Sequence, residues 1–274
     1  MSKAFGYIPK KSFVHSLTGA SKLIMTLALS IAAMITFDTR FLLLVITASL
    51  FMLALAKIKF SEVKAVLILI TVFLLINNIA IFLFAPEQGV LIYGSRHELF
   101  HIAWRYSVTL EQLIYQLNVS IKYFAIVPMA LIFFLTTEPG EFASSLYSLK
   151  TNYKIAYSVS LALRYIPDVQ RSYREISQAQ QARGVDISKK ASLRRRISGI
   201  LTILFPLVFS SMDKIELISN AMELRGFGRK KKRTWYAARS FSKWDYVVIC
   251  VSLSFIGLSV LTIILNNGRF WNPL

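Results

Sequence analysis

A single cysteine, Cys250, serves all 274 residues, and histidine occurs three times. No internal disulfide can form, and no Cys cluster of metal-binding spacing exists. A G-x-x-x-x-G-K-[ST] loop is also missing, which removes the common backbone cradle for ATP phosphates. Gly184-Val185-Asp186-Ile187-Ser188-Lys189 lacks the second glycine and follows a helical pattern rather than a strand. Acidic residues number 14 against 32 Lys plus Arg, and their scatter nominates no pair of carboxylates for acid–base work. No Ser, His and Asp can be placed together as a nucleophilic set. The chain is therefore read as carrying no catalytic site, no metal and no cofactor of its own.

What is present comes in blocks. Apolar residues make up 55% of a chain whose formal net charge is +18. Long apolar runs occupy roughly 23–85, 118–137 and 246–265, while most charge sits between 138 and 243. That division marks a membrane protein with a basic face. Cys250 lies in an apolar run, as a small hydrophobe. Lys3, Lys10 and Lys11 resemble a signal-peptide start, but one apolar run leads directly into another across Asp38-Thr39-Arg40. The first run is therefore read as a retained helix.

A bilayer core about 30 Å thick needs roughly 20 helical residues. Five spans are expected: Leu23–Phe37, Phe41–Ala56, Ala65–Ala85, Val119–Leu135 and Val247–Leu265. Asn77-Asn78 are costly against lipid and should turn toward neighbouring helices. Lys122 stands near a span end and can snorkel, and Trp244 and Tyr246 suit the headgroup level. Placing the N-terminus inside puts 27 of the basic residues on the cytoplasmic side and 4 outside. The positive-inside rule then gives a cytoplasmic N-terminus and an outside C-terminus. Segment 86–117, with Gly89, Gly94 and the apolar stretch Val90-Leu91-Ile92-Tyr93, is expected to form a short hairpin before an amphipathic helix. His97 and His101 stand there at i, i+4 helical spacing, which a metal can use; with no third ligand nearby they are read as interfacial polar residues.

The division expected is a membrane domain over 1–137, a cytoplasmic coupling domain over 138–243, and a fifth span with an outside tail over 244–274. Apolar residues recur at helical spacing through the arm. Helices are expected at about 140–149, 153–183 and 189–225, the first opened by Thr136-Thr137-Glu138-Pro139-Gly140-Glu141, with hydroxyls to cap and acids near a positive dipole end. Pro167 bends or breaks the second. Ile197–Met212 offers a rival sixth span, but one more crossing would put the basic cluster Arg229–Arg233 outside. A helix along the membrane surface or under a protein partner fits better. The arm holds 20 basic and 8 acidic residues. Arg194-Arg195-Arg196 and Arg229–Arg233 suit anionic lipid, whereas the absence of interleaved aromatics argues against nucleic acid.

Two arm helices end alike, in Ala182-Arg183-Gly184 and in Leu224-Arg225-Gly226, 42 residues apart. Arg suits the negative end of a helix dipole and Gly is the ordinary residue past it, so one such ending would be unremarkable. The repetition singles them out.

Thr136-Thr137-Glu138-Pro139, Leu161-Ala162-Leu163-Arg164-Tyr165-Ile166-Pro167, Ala182-Arg183-Gly184 and Ala221-Met222-Glu223-Leu224-Arg225-Gly226-Phe227-Gly228, in this order after apolar spans, resemble the transmembrane T component of energy-coupling factor transporters, the group that includes cobalt-transport permease subunits. The second ending departs from the commoner Ala-Arg-Gly in having Leu224. The resemblance implies an all-α integral membrane scaffold of about five transmembrane helices and a three-helix arm. It implies two cytoplasmic ATP-binding cassette ATPases as partners, one receiving Arg183 and the other Arg225. It also implies a small membrane substrate-binding subunit that packs on the arm's apolar face, for which Leu201, Leu204, Phe205 and Phe209 are candidates. Vitamin or micronutrient uptake would be the outcome. Two other readings stay open on the residues alone: a self-contained permease, and a membrane-anchored recruiting protein without transport.

Overall fold

The computed structural model describes residues 7–103, 106–188, 192–229, 234–235 and 239–272. Lys3, the basic run at 230–233 and the expected start of the third arm helix at 189 lie outside the described residues. Two compact units form, one of Pro139–Ala238 and the other of Phe5–Glu138 with Arg239–Leu274. Apart from one two-stranded hairpin the described chain is helical. It is the all-α integral membrane protein expected from its sequence.

The larger unit holds α1 (Phe13–Ser16), α2 (Gly19–Ile35), α3 (Thr39–Leu55), α4 (Phe60–Phe84), α5 (Gln88–Tyr93), β1 (Glu98–Ala103), β2 (Tyr106–Thr109), α6 (Leu110–Thr136) and α10 (Lys243–Leu265). Helices α4, α6 and α10 are long and apolar enough to cross a membrane, and α2 and α3 are shorter apolar helices. The tight polar turn between α2 and α3 is a helix start: Asp38 caps α3, its carboxylate accepting from the Arg40 N–H at 2.9 Å. Ser242 and Asp245 form a capping box on α10.

Polar groups fix how these helices run. Lys22, fully buried, donates to the Thr136 carbonyl at 2.9 Å, at the C-terminal end of α6. Lys122 of α6 donates to the Met34 carbonyl at 2.8 Å, at the C-terminal end of α2. Each ammonium meets the negative end of its neighbour, where carbonyls lack helical partners, so burial is compensated. These bonds make α2 and α6 antiparallel. Buried Asp245 accepts from the Thr18 N–H at 2.8 Å and the Ser21 hydroxyl at 2.6 Å, tying the starts of α10 and α2. At the other end Asn266 donates to Asp38 at 2.7 Å and the Phe37 N–H donates to the Arg269 carbonyl at 2.7 Å. Helices α2 and α10 are therefore parallel. Asn78 turns inward as expected, donating to the Ser120 hydroxyl at 3.0 Å on α6. Most of the α4 surface is exposed, with Val63 and Leu74 its buried residues.

Within segment 86–117 the hairpin is β1 with β2, directly before α6. Val90–Tyr93 belong to helix α5, which ends on Gly94 at φ +72°, and the hairpin follows it. The reason is local: Gly89, whose Cβ would collide with the Glu111 backbone, lets α5 lie directly on the start of α6. The two histidines are not helical neighbours. His97 precedes β1 and its Nδ1 lies 2.7 Å from Glu111, while His101 sits in β1, 3.5 Å from Glu98. No cluster of three metal-ligating side chains occurs among the described residues.

The smaller unit holds α7 (Pro139–Ser148), α8 (Tyr153–Ala182) and α9 (Leu193–Leu224). Pro167 and Pro206 lie within continuous helices α8 and α9. The Asn152 side chain caps α8 by accepting from the Lys154 N–H at 3.0 Å.

Candidate functional site: two arginine-tipped helix ends

The ends of α8 and α9 are built alike. In the first, the Gly184 N–H donates to the Gln181 carbonyl at 3.0 Å and the Val185 N–H to the Gln180 carbonyl at 3.0 Å. In the second, the Gly226 N–H donates to the Glu223 carbonyl at 2.8 Å and the Phe227 N–H to the Met222 carbonyl at 2.9 Å. Both are Schellman motifs, in which a left-handed residue past the helix recovers two orphan carbonyls. Gly184 at φ +89° and Gly226 at φ +69° supply that residue. Arg183 and Arg225 occupy the same capping position, at φ −85°, ψ 7° and φ −81°, ψ 6°.

Neither guanidinium makes a hydrogen bond or ion pair among the described residues, and both are exposed. Ala182 and Leu224, each the last helical residue, are exposed too, Leu224 by 90%. Each end thus presents a planar five-donor fork on a fixed backbone turn, a group suited to bidentate capture of carboxylates or to backbone carbonyls on a partner. Beyond the first end Asp186 accepts from the Ser188 N–H at 2.8 Å, and this backbone bond holds its carboxyl below the ordinary range.

The two helices run antiparallel. Lys214 of α9 reaches Asp168 of α8 at 3.2 Å and Ser172 at 3.1 Å. Toward the Arg225 end, the Phe227 ring lies 5.6 Å from Tyr153 and 4.8 Å from Tyr157, near the start of α8. Trp235 joins this cluster, 6.3 Å from Tyr157 and 6.0 Å from Tyr147 of α7. Toward the Arg183 end, Gly199 of α9 accommodates the chain leaving α8: a Cβ there would stand 3.0 Å from Val185 and 3.1 Å from Ile187. The two arginines consequently sit at opposite ends of the pair, on the order of 40 Å apart along α8 at 1.5 Å per residue.

Leu201, Leu204, Phe205 and Phe209 fall on one stripe of α9 and are 46%, 39%, 61% and 64% exposed. Ile203 and Leu207 of the same helix are buried, so α9 has an inner and an outer apolar face. An amphipathic helix that keeps an apolar stripe outward carries a contact surface. A cleft of about 590 Å³ separates the facing sides of α8 and α9, lined by Leu161, Tyr165, Ile215, Ile218 and Met222 among others. Sequence reasoning did not single out Gly199 or the aromatic cluster. The first had a signal, since a lone glycine inside a helical pattern marks close approach; the second had none, because Tyr147, Tyr157, Phe227 and Trp235 are distant in the chain.

Known proteins give these features a context. The family described as cobalt transport protein (CbiQ) matches residues 10–236. The energy-coupling factor transporter transmembrane protein EcfT of Exiguobacterium sibiricum is 27% identical over 270 residues, covering 96% of this chain and 98% of its own. EcfT of Lactococcus lactis subsp. cremoris is 28% identical, with 94% of each chain covered. EcfT of Leuconostoc gelidum is 27% identical, with 91% and 92% covered. With a match that spans both the apolar helices and the arm with its two arginine-tipped ends, the chain belongs to the CbiQ family of transport proteins, as a transmembrane component of the energy-coupling factor type.

Proposed function

We propose that this chain is the coupling scaffold of an importer, joining two cytoplasmic ATP-binding cassette ATPases to a separate substrate-binding membrane subunit. The observation that carries the proposal is the pair of matching Schellman ends, each tipped by an exposed guanidinium without a partner among the described residues. In this reading Arg183 enters a surface groove of one ATPase and Arg225 that of the other. Ala182, Gly184, Leu224 and Gly226 shape the two turns. The antiparallel pair between them carries nucleotide-driven movement from one tip to the other and to the outer stripe of α9. There Leu201, Leu204, Phe205 and Phe209 would meet the substrate-binding subunit, and the transported compound would be a vitamin or another micronutrient bound by that subunit.

The same proposal places residues 138–243 in the cytoplasm as one coupling domain, between membrane segments 1–137 and 244–274. It makes α2, α3, α4, α6 and α10 five alternating crossings of the cell membrane. Parallel α2 and α10 support this, since parallel first and last helices require an odd number of crossings overall. A single additional crossing by residues 197–212 would oppose that pairing. The N-terminus and arm would then be cytoplasmic and the C-terminus outside, in keeping with the charge distribution.

The test is charge reversal at both tips. Arg183→Glu with Arg225→Glu should abolish co-purification of the ATPases or uncouple ATP hydrolysis from uptake, while membrane insertion stays normal. An intact complex with undiminished uptake would overturn the docking role.

A further inference from the structure

A second cleft lies in the larger unit, away from the arginine tips. Of about 690 Å³, it is bounded by the chain at Lys10–Ser16 and by the end of α3 at Ala54, Leu55 and Lys57. Its level relative to the apolar helices is set by what surrounds it. Helix α3 ends at Leu55 and α4 starts at Phe60, so the cleft opens where one apolar helix leaves and the next enters. Phe13 in its wall meets Trp244, at the start of α10, edge-on at 5.6 Å. Tryptophan at a helix start of this kind belongs at the headgroup level.

The cleft is built to present cations. Lys10 donates to Glu62 at 2.6 Å and to the Lys57 carbonyl at 2.9 Å, so its charge is matched. Through the second bond it also holds the turn in which Lys57 adopts φ +55°. That left-handed conformation is costly for a residue with a Cβ and persists where surrounding contacts impose it. Lys57 and Lys11 line the cleft, are exposed, and make no ion pair among the described residues. The ring nitrogens of His15, also in the lining, face the Ser12 hydroxyl at 2.7 Å and the Ile8 carbonyl at 3.0 Å. Two ammonium groups without an ion pair among the described residues therefore share one cleft lining with Phe13, Ala54 and Leu55.

We propose that this cleft binds one anionic phospholipid, with the phosphate between Lys11 and Lys57 and the upper acyl chain against Phe13, Ala54 and Leu55. Two cations and apolar side chains lining one cleft at a helix exit match an amphiphile with a negative head; a free anion would use only the cations. A basic recess between membrane helices is a recognised lipid-headgroup geometry. The occupant does not depend on the coupling reading of the arm.

Quenching of Trp244 by brominated lipid tests it. The full chain, with Trp104, Trp235 and Trp271 replaced by Phe, is reconstituted in vesicles of phosphatidylcholine with a rising fraction of brominated phosphatidylglycerol, or of brominated phosphatidylcholine as reference. Phosphatidylglycerol should quench at a markedly lower mole fraction. Lys11→Gln should weaken that preference roughly fivefold, as should Lys57→Asn, which tolerates the left-handed backbone. Lys59→Gln, which lies outside the cleft, should leave the preference intact. No preference for phosphatidylglycerol, or an equal loss in Lys59→Gln, would overturn the site. So would abolition of the preference by inorganic phosphate where chloride of equal ionic strength has no effect.

Discussion

At the scale of single residues the arm depends on two glycines more than on its many cations. A residue with a Cβ at φ near +70° to +90° costs about 1–2 kcal/mol, and a β-branched one resists it most. Gly184→Val should therefore loosen the first ending and leave the second untouched. Amide hydrogen exchange reads this directly: the Val185 N–H should exchange faster while the Phe227 N–H keeps its protection, and Gly226→Val should reverse the pattern. Equal exchange at both amides in both variants would mean that the turns are not held by the Schellman bonds. The Arg-Gly pairs were legible from sequence because a helix-ending glycine after a long cation has a direct chemical meaning. That neither guanidinium is paired among the described residues was not legible, since pairing depends on which side chains other elements bring near.

At the scale of elements, α8 and α9 are joined, among the described residues, by contacts at their two ends and by the Lys214–Asp168 ion pair between. The Lys214–Asp168 pair, with both side chains over 40% exposed, contributes on the order of 0–1 kcal/mol. Gly199 matters more, because the Val185 and Ile187 side chains of the segment leaving α8 rest against it. Gly199→Leu should push Val185 and Ile187 away, destabilise the smaller unit by about 1–3 kcal/mol, and weaken ATPase retention at the Arg183 end with both arginines intact. Pull-down of the ATPases with this variant, beside the tip variants, checks it; full retention would show that the tip tolerates movement of its support. Helical spacing in the sequence predicts arm helices at about 140–149, 153–183 and 189–225, where α7, α8 and α9 run Pro139–Ser148, Tyr153–Ala182 and Leu193–Leu224. In segment 86–117 it reads His97 and His101 as helical neighbours, but i, i+4 spacing is equally compatible with a strand, and the buried carboxylate that anchors His97 comes from Glu111 in a different element. The pleat of β1 and the close approach at Gly89 are set by tertiary contact, which periodicity does not report.

At the scale of the molecule, the relative directions of α2, α6 and α10 are recorded in polar bonds between their ends. Lys22 to the Thr136 carbonyl, Lys122 to the Met34 carbonyl and Asp245 to Thr18 and Ser21 each join specific ends. If α2 and α10 start on the cytoplasmic side, cysteines at Lys59 and Lys231 should be labelled from inside only, and one at Ser95 from outside only, in a Cys250→Ser background. Labelling of Lys231→Cys from outside would overturn the cytoplasmic arm. Composition and charge order pointed to this arrangement, but the reciprocal lysine contacts were invisible in the sequence. A lone Lys in an apolar run looks like a cost until its carbonyl partner is known.

The antiparallel course of α8 and α9 has a consequence of symmetry. Two antiparallel helices of similar length are related by an approximate two-fold axis through their midpoint, and that axis exchanges the two Schellman ends. One polypeptide thus offers nearly equivalent handles to the two halves of a two-fold partner, without being a dimer itself. The ends are alike in Arg and Gly but differ around them, Gln181, Ala182 and Val185 standing against Glu223, Leu224 and Phe227. That difference is where a pair of non-identical partners would tell one handle from the other.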